Sequence, residues 1–357
     1  MLEKPYIVIL AGGIGSRFWP YSRKKRPKQF LDLFGTGRTL LQMTFDRFLG
    51  ISRADHFFVV ANQQHYELVK EQLPEIPESN ILTEPLRRNT ATSVAYACYR
   101  IGIHHPTAKI IVTPSDHLIL HQDKFLAKIQ LALTASEIDH RLLTIGIRPN
   151  RPETGFGYIQ YHLEPTSKVK KVKTFTEKPN TKLAQTFFES GDFVWNSGIF
   201  IWQAKSIIHA FEKYMPDVAE VFEEGKEFYK REEEIAFTKK AYTLVKNISI
   251  DHGILEKSDQ VYTVLGDFGW SDLGSWMSLY EHHDLDNANN LVEANALLYD
   301  TKNSFIKISP EKLVVVQGLE NYLVTESDNV LLICQLDQEK KFREFINDAK
   351  NKGEDYV

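Results

Sequence analysis

Residues 6–30 read YIVILAGGIGSRFWPYSRKKRPKQF, and the fold of the chain can be inferred outward from this stretch. The apolar run from Tyr6 to Leu10 is typical of a strand that is buried on both faces of a parallel sheet. Gly12, Gly13 and Gly15 follow this strand directly. Because glycine lacks a Cβ, such a turn can bring backbone N–H groups against a ligand, as phosphate-binding loops do. The stretch therefore predicts a phosphate-binding turn after the first strand.

The loop that follows the glycines is basic, and we expect it to be exposed. Its positively charged residues are Arg17, Arg23, Lys24, Lys25, Arg26 and Lys28. They could neutralise a ligand with several phosphates, although a solvated surface segment has the same composition. Neither common phosphate motif fits this N-terminal stretch. A Walker A string is missing, and Phe18 occupies the third glycine position of the dinucleotide fingerprint.

The bulk composition limits the function classes. With 357 residues and 43% hydrophobic content, the chain can build a large core and a second, smaller unit. The net charge of −4 argues against nucleic-acid binding, which requires a basic surface. Cys98 and Cys334 lie far apart in apolar segments, so we expect no disulfide, no thiolate metal site and a cytoplasmic location. The apolar run Tyr6–Ala11 is too short for a signal peptide or a membrane span, and no membrane association is expected.

Strand-like and helix-like segments alternate from the first strand to about residue 147, as in βαβ units. This alternation predicts an α/β fold with a mostly parallel sheet and helices on both of its faces. Ligands of such sheets bind beyond the carboxyl ends of the strands. Longer strands after Gly155 are expected to extend the sheet. Residues 226–234, KEFYKREEE, are predicted to form an exposed helical face of mixed charge.

The polar stretch Asp284–Asn290 is predicted to be a linker. It divides the chain into a catalytic domain, residues 1–285, and a small C-terminal domain, residues 291–357. Short β-type runs after the linker could be the coils of a small β-helix. The charged amphipathic segment Gln338–Lys350 predicts a terminal helix.

Two aspartates are candidate metal ligands. Asp116 comes just after the buried run in KIIVTPSDH (109–117), and Asp272 is enclosed by tryptophan and glycine in DFGWSDLGSW (267–276). A buried carboxylate needs a cation or several donors, and Mg²⁺ bound by proteins commonly has only one or two carboxylates. A helix cap or a turn is the alternative role for Asp116. No His or Cys spacing indicates zinc.

Residues 84–90, EPLRRNT, join a short strand to a predicted helix. Asn89 or Thr90 is placed to cap that helix, because amide and hydroxyl oxygens accept hydrogen bonds from helix N-termini. The same side chains could instead read the edge of a nucleobase. Both interpretations stay open at this point.

Residues 174–179, TFTEKP, place Glu177 and Lys178 at the end of a strand. Glutamate can accept two sugar hydroxyls and lysine can hold a phosphate, although a surface ion pair is the competing interpretation. In VWNSGIFIW (194–202), Asn196 is a buried amide that needs partners, either backbone groups or a sugar hydroxyl.

An activated nucleophile is not evident in the sequence. There is no GxSxG string, and neither cysteine lies in an electropositive segment. Cationic side chains, metal-binding acids and hydroxyl acceptors suit phosphoryl-type transfer by positioning and charge neutralisation. In such a reaction one substrate supplies its own nucleophile.

Eight strings, taken together and in order, resemble the sugar-nucleotide pyrophosphorylases, and among them the mannose-1-phosphate guanylyltransferases (GDP-mannose pyrophosphorylases). The strings are AGGIGSRFWPYSRKKRPKQF (11–30), EPLRRNTA (84–91), PSDHLI (114–119), TGFGYI (154–159), FTEKP (175–179), WNSGIFIW (195–202), ISIDHGILEK (248–257) and GWSDLGSW (269–276). The departures are small: Thr92 stands where proline is common, and Thr176 where an aliphatic residue is frequent. The resemblance implies a Rossmann-like nucleotidyltransferase fold with a mostly parallel mixed sheet. It also implies a β-helix-like C-terminal domain involved in association, and we expect a homodimer.

The resemblance further implies that the phosphate oxygen of mannose 1-phosphate attacks the α-phosphorus of GTP in line. GDP-mannose and pyrophosphate would form without a covalent enzyme intermediate. Arg17, Lys28 and Lys178 would be the catalytic cations, the first two neutralising the β- and γ-phosphates. The other implied roles are Gly12, Gly13, Gly15, Glu84, Asn89 and Thr90 for the nucleotide, Asp116 and Asp272 for Mg²⁺, and Gly157, Glu177, Lys178 and Asn196 for mannose 1-phosphate.

Two alternatives stay open. One is the same reaction with another pair of substrates, such as dTTP and glucose 1-phosphate, because hexose epimers differ by one hydroxyl position. The other is a non-catalytic regulatory subunit that binds a sugar nucleotide, although both phosphate cations and both metal aspartates are present.

An added isomerase domain, as in fused relatives, is not expected because roughly 70 residues after the linker are too few for it. One activity is therefore expected.

Overall fold

The computed structural model of the chain describes residues 4–138 and 140–357. The chain folds into two compact units, each built from separate segments. The first unit contains the residues up to Gly12, Leu41–Ser115 and Ile119–Trp270. The second unit contains Gly13–Leu40, Asp116–Leu118 and Ser271–Val357. Most of the glycine-rich loop thus groups with the C-terminal residues, whereas the sequence division placed it in the catalytic domain.

The strands, in chain order, are β1 (Tyr6–Leu10), β2 (Phe57–Asn62), β3 (Ile81–Glu84), β4 (Lys109–Pro114), β5 (Leu118–Ile119), β6 (Leu142–Ile147), β7 (Tyr158–Tyr161), β8 (Val169–Thr176), β9 (Phe193–Gln203), β10 (Val261–Gly266), β11 (Trp270–Ser271), β12 (Leu291–Glu293), β13 (Asn295–Tyr299), β14 (Phe305–Lys307), β15 (Leu313–Gln317), β16 (Tyr322–Ser327) and β17 (Val330–Gln335). The α-helices are α1 (Leu40–Leu49), α2 (Tyr66–Gln72), α3 (Asn89–Gly102), α4 (Gln122–Ala135), α5 (Thr181–Ser190), α6 (Ala204–Tyr214), α7 (Pro216–Glu224), α8 (Glu234–Leu244), α9 (Trp276–Tyr280) and α10 (Phe342–Lys352). A π-helical turn spans Asp251–Leu255.

The first unit is built on a mixed sheet with the strand order β3-β2-β1-β4-β9-β6-β10-β8-β7. β1 pairs in parallel with β2 and β4, and β6 pairs in parallel with β10. β9 lies antiparallel between β4 and β6, and β8 is antiparallel to β10. As predicted, β1 is covered on both faces, since Ile7, Val8 and Ile9 are fully buried. The predicted Rossmann-like α/β fold with a mixed sheet is confirmed, but the sheet is not mostly parallel, because antiparallel pairings are at least as frequent as parallel ones among its described strands.

Two local predictions were wrong. α3 begins at Asn89 and its cap position is Arg88, without a side-chain cap. Asn89 Oδ1 accepts the backbone N–H of Thr90 at 2.9 Å, but it does so from the first helical position and not from the cap position. The segment KEFYKREEE runs from a short 3-10 helix (Gly225–Glu227) through turns to the first residue of α8 and does not form an exposed helix. Its last residue, Glu234, is buried and accepts hydrogen bonds from Arg100 Nε (2.7 Å) and the Tyr96 hydroxyl (2.8 Å). Because Glu234 is paired with Arg100 in the interior, its charge does not lie on the surface, where the composition of the segment had predicted it.

The C-terminal strands of the second unit stack in parallel like the coils of a β-helix. β14 pairs in parallel with β12 on one side and with β16 on the other, so that Phe305 lies opposite both Leu291 and Leu323. β13 and β15 form a second parallel pair. Ile306, Ile308, Val316 and Val324 fill the interior between the coils. The predicted β-helix-like unit is therefore confirmed.

A membrane span is not evident from the helices. Over residues 4–138 and 140–357, none is both long enough and apolar enough to cross a bilayer.

Candidate functional site

The glycine-rich loop belongs to the second unit from Gly13 onward. Gly15 has a φ of 55°, in the left-handed region that favours glycine. A Cβ at this position would lie 2.4 Å from Lys28 Cβ and 2.8 Å from Ser22 Oγ, so the loop can close only over a glycine. Gly13 has open space around it, whereas a Cβ on Gly12, in the first unit, would approach Glu84 Oε2 to 3.3 Å.

Lys28 is the centre of a charged cluster in the second unit. Its ammonium lies 2.8 Å from Asp116 Oδ2 and donates to the backbone carbonyls of Asp272 and Leu273, both at 2.9 Å. An ammonium has three N–H donors, and these contacts use all of them. Lys28 is only 4% exposed, so the expectation of an exposed loop was wrong at this residue. The lysine is buried because three acceptors compensate for its lost hydration.

The pKa values of the two candidate metal ligands, Asp116 and Asp272, are shifted in opposite directions in this cluster. Burial raises the pKa of Asp116 and is the largest single cause, but the charges of Lys28 and His117, with hydrogen bonds from Lys28 and the backbone, together hold the pKa below its ordinary value. Burial also raises the pKa of Asp272, and here Lys28 and Arg17 only partly offset it while the charge of Asp116 adds to it. The two carboxylates are therefore close enough to repel one another. Arg17 donates to the carbonyl of Gly274 at 3.2 Å, next to Asp272.

This cluster fits a hard divalent cation. Mg²⁺ prefers oxygen ligands and commonly takes one or two carboxylates, and the mutual repulsion of Asp116 and Asp272 would be relieved by a cation. In the described ranges, no group of three or more His, Cys, Asp or Glu side chains is placed to hold a metal. A magnesium site here would thus rely on two carboxylates.

Part of the basic loop has another role than the sequence indicated. Arg23 donates to the carbonyls of Ser327 (2.7 Å) and Asp355 (2.9 Å). Lys24 lies 3.0 Å from the carboxylate of Glu354. These two charges are directed to the C-terminal part of the same unit, because carbonyls and carboxylates there accept their hydrogen bonds. Fewer cations of residues 17–28 are therefore available to a phosphate than the number of positive charges in the sequence suggested.

In the first unit, Glu84 ends β3 and is buried. Its Oε1 accepts hydrogen bonds from Ser93 Oγ (2.6 Å) and the Tyr242 hydroxyl (2.8 Å), neither of which was selected from the sequence. Burial raises the pKa of Glu84, and these two bonds partly offset the increase. Asn89 is exposed with a φ of 64°, and Thr90 Oγ1 accepts from the backbone N–H of Ile250 at 3.0 Å. Thr90 therefore also anchors the segment before the π-helical turn.

A second carboxylate group of the first unit surrounds Gly157. A Cβ on Gly157 would lie 3.0 Å from Glu177 Oε2, so the glycine lets this carboxylate lie against the backbone. Lys178 is exposed, has a φ of 36°, and lies 3.1 Å from Glu177 Oε1. Asn196 is also held to this place, because its backbone N–H donates to the carbonyl of Gly157 at 2.8 Å. The structure thus brings together all four predicted sugar-phosphate residues.

Asp251 belongs to the same group but was not selected from the sequence. Asn196 Nδ2 donates to Asp251 Oδ1 at 2.9 Å. Burial, with the charge of Glu177 as the next cause, raises the pKa of Asp251 to about 7, although Asn196 and Lys178 act in the opposite direction. The only sequence signal was its place in the string ISIDHGILEK.

The model of the nucleotidyl transferase family matches residues 6–289. The chain belongs to the nucleotidyl transferase family. The xanthan biosynthesis protein XanB of Xanthomonas campestris pv. campestris is 35% identical over 349 residues, which cover 97% of this chain and 73% of that protein. The mannose-1-phosphate guanylyltransferase of Escherichia coli K12 is 33% identical, with coverage of 98% of this chain and 74% of that protein. The predicted family resemblance and the nucleotidyltransferase class are confirmed.

A solved structure agrees with the fold over almost the whole chain. It is the crystal structure of mannose-1-phosphate geranyltransferase from Thermus thermophilus, which is 27% identical with a TM-score of 0.87. The match covers 98% of this chain and 100% of that chain, so it includes the C-terminal strands as well as the nine-stranded sheet seen in the described part of the first unit.

Proposed function

We propose that this nucleotidyltransferase transfers GMP from GTP to mannose 1-phosphate, giving GDP-mannose and pyrophosphate. The observation that carries the proposal is the Lys28–Asp116–Asp272 cluster, which combines a buried cation with two oxygen-ligand carboxylates. Phosphoryl transfer depends on such groups, because catalysis is mostly positioning and charge neutralisation. The relative from E. coli K12 that is named a mannose-1-phosphate guanylyltransferase supports the choice of substrates.

In the second unit, Gly13, Gly15, Arg17 and Lys28 are proposed to bind the triphosphate. Arg17 is exposed and presents its guanidinium beside the turn at Gly274. Lys28 uses its three donors within the unit, so a phosphate oxygen must replace one of the two carbonyls to be bound directly. Asp116 and Asp272 would hold Mg²⁺, which when bound supplies positive charge to the triphosphate oxygens.

In the first unit, Gly12, Glu84, Asn89 and Thr90 are proposed to bind guanine and ribose, with Ser93 and Tyr242 fixing the Glu84 carboxylate. Gly157, Glu177 and Lys178 are proposed to bind mannose 1-phosphate, with Asn196 held beside Gly157 as a supporting residue. Lys178 is suited to the phosphate because its ammonium is exposed and, among the residues that the structure describes, forms an ion pair only with Glu177. Glu177 is suited to sugar hydroxyls because a carboxylate offers about four acceptor sites.

The proposed step is a direct in-line displacement. A bond forms between a phosphate oxygen of mannose 1-phosphate and the α-phosphorus, and the bond from the α-phosphorus to the oxygen that bridges to the β-phosphorus breaks. The electron pair of that bond leaves with pyrophosphate. The thiols support a mechanism without covalent catalysis, since burial raises the pKa of Cys98 to about 12 and of Cys334 to about 11. Neither sulfur is a thiolate at neutral pH.

The active form is proposed to be a cytoplasmic homodimer. Both cysteines are free thiols, which is typical of a reducing compartment. Exposed apolar side chains lie on β13, β15 and β17 of the β-helix-like unit and would be covered by a second copy. They are Leu297, Tyr299, Leu313, Val315, Leu331 and Ile333. Light scattering at two protein concentrations tests the dimer, and a monomer at both would contradict it.

The substrates can be tested with a matrix of nucleoside triphosphates and hexose 1-phosphates, read as pyrophosphate release and product mass. We expect the highest kcat/KM for GTP with mannose 1-phosphate, and no product without Mg²⁺. Turnover of dTTP with glucose 1-phosphate, without turnover of GTP, would show that this enzyme uses that other pair of substrates. Sugar-nucleotide binding without any turnover would instead identify a regulatory subunit.

A further inference from the structure

The amide of Asn196 is nearly fully used inside the first unit. Its Oδ1 accepts hydrogen bonds from Thr144 Oγ1 and from the backbone N–H of Gly198, both at 3.1 Å. Its Nδ2 donates to Asp251 Oδ1 at 2.9 Å. A side-chain amide has two acceptor sites and two donors, so Asn196 retains only one N–H. Its oxygen has no acceptor site left for a hydrogen bond from a sugar hydroxyl. Its contacts fit a role in orienting a neighbouring side chain.

Asp251 is the group that Asn196 supports. The residue is half-buried, and its carboxylate accepts hydrogen bonds from Asn196 and from its own backbone N–H, which leaves about two of its four acceptor sites. The nearby charged groups are Glu177 and Lys178 from the end of β8, with His252 next in the π-helical turn. Along the part of the chain that the structure describes, no lysine or arginine forms an ion pair with Asp251. The carboxylate is thus an acceptor that lacks strong donors.

Asp251 and Glu177 form a pair of repelling carboxylates with one exposed ammonium, Lys178, beside them. Repulsion between two acceptors is relieved when a ligand brings two or more O–H donors to them. An ammonium beside the pair suits a phosphate attached to the same ligand. Adjacent hydroxyls and one phosphate are the groups of a hexose 1-phosphate. The geometry therefore fits that class of ligand better than a metal, which would leave Lys178 repelled.

We infer that the Asp251 carboxylate accepts a hydroxyl of the hexose 1-phosphate, and that Asn196 is a positioning residue that orients Asp251. This inference rests on the proposed function and deepens it by naming the residue that reads one sugar hydroxyl. A site built to pair a hydroxyl discriminates strongly against a ligand that lacks it, because the acceptor is then left unpaired. Asp251 is thus a specificity-determining residue for the sugar.

The primary test compares the wild type with Asp251→Asn, which keeps an acceptor for Asn196 but removes the charge. The KM for mannose 1-phosphate is expected to rise at least tenfold, whereas the KM for GTP stays within twofold. The matched control is Asp217→Asn, which removes an exposed carboxylate of the same unit that forms an ion pair with exposed Lys246. An unchanged KM for mannose 1-phosphate in Asp251→Asn would overturn the inference.

Deoxy analogues identify the hydroxyl. The 2-, 3- and 4-deoxy forms of mannose 1-phosphate are used with both proteins, and one of them is expected to abolish the difference in KM between the wild type and Asp251→Asn. If all three analogues preserve the full difference, Asp251 does not accept a hydroxyl at these positions and the inference fails. Asn196→Ala tests positioning: the double variant Asn196→Ala/Asp251→Asn should have the same KM as Asp251→Asn, and additive losses would show that Asn196 acts on its own.

Calorimetric binding of mannose 1-phosphate separates this inference from the proposed function. If the wild type binds the sugar phosphate and Asp251→Asn does so at least tenfold more weakly, the inference stands even when GTP proves to be the wrong nucleotide. If both proteins make GDP-mannose and bind the sugar equally, the function stands and the inference is overturned. If the wild type binds no hexose 1-phosphate, both are overturned.

Discussion

Two partly buried aspartates, one in each unit, have pKa values that are shifted in opposite directions. Asp116 lies 2.8 Å from the ammonium of Lys28, and its pKa stays below the ordinary value. Asp251 has an amide and a second carboxylate, Glu177, as its main neighbours, and its pKa rises to about 7. The difference comes from the nearest charge and not from the depth of burial. In the second unit the charge of Asp116 is compensated by Lys28. In the first unit Asp251 has no directly paired cation among the described residues.

This contrast separates two tasks of a nucleotidyltransferase. Phosphates and a metal ion need groups whose charges are already fixed, because reorganisation during the reaction would cost rate. Sugar hydroxyls need acceptors that are not yet satisfied by the protein. Substitutions should therefore change stability in opposite directions in the two units. Removing Lys28 leaves the buried charge of Asp116 unpaired and should lower stability, whereas neutralising Asp251 removes its repulsion from Glu177 and should raise stability.

The largest effect is expected for Lys28→Met. Breaking a buried pair leaves Asp116 and two carbonyls without their donor, and we expect unfolding free energy to fall by roughly 3 kcal/mol and kcat/KM by about a thousandfold. Urea unfolding and pyrophosphate release measure the two losses. In Lys28→Met/Asp116→Asn, part of the stability should return, because the stranded charge is gone. Additive destabilisation in the double variant would contradict the pairing.

A smaller effect is expected for Asp272→Asn, which keeps the acceptor for the Gly274 N–H but removes a metal-binding charge. The Mg²⁺ concentration for half-maximal activity should rise by about tenfold, since one of two carboxylates is lost. Magnesium titration of turnover provides the measurement, with Asp300→Asn in the same unit as the control. Identical titration curves for Asp272→Asn and the wild type would remove Asp272 from the proposed site.

The next effect concerns pH and Asp251. Because its pKa rises from 3.8 in an unfolded chain to about 7, the folded state holds a proton that the unfolded state has lost between these values. Stability from this group is therefore fully present below about pH 4 and falls as the pH rises towards 7. Asp251→Asn should match the wild type at pH 4 and exceed it by on the order of 1 kcal/mol at pH 8, after allowance for partial solvent screening. Thermal unfolding at several pH values checks this. A variant that is less stable than the wild type at pH 8 would refute the assigned repulsion.

The smallest effect is expected for Arg23→Gln. Loss of the bonds to Ser327 and Asp355 should lower the unfolding free energy by about 1 kcal/mol, with less than a threefold change in kcat/KM because Arg23 does not face the carboxylate cluster. Lys25→Gln, which removes an exposed charge from the same loop, is the control and should change neither quantity. A large loss of activity in Arg23→Gln at normal stability would return this arginine to the phosphate-binding set.

The sequence predicted features that depend on local pattern. The alternation of helices and strands up to residue 147, which includes α1 and β6, was predicted because apolar periodicity and buried apolar runs are local signals. The glycine-rich turn, the β-helix-like coils and the family resemblance were equally visible. The antiparallel insertion of β9 between two parallel strands was not, since strand order depends on contacts between distant residues.

Features that depend on tertiary contacts were missed. The burial of Lys28 requires acceptors 244 and 245 residues away in the chain. Asp251 acquires its role from Asn196, 55 residues earlier, and from the charge of Glu177. Neither the composition nor the spacing around Asp251 carries this information, because a single Asp in a helical segment is usually a solvated residue.

The central claim is direct guanylyl transfer from GTP to mannose 1-phosphate. It is tested most directly with one P-chiral isomer of GTP that carries sulfur on the α-phosphorus, incubated with the enzyme, Mg²⁺ and mannose 1-phosphate. A single in-line displacement predicts thio-GDP-mannose with inverted configuration at that phosphorus, as read by ³¹P NMR. Absence of guanylyl transfer with GTP itself, or a product that retains the configuration, would contradict the account.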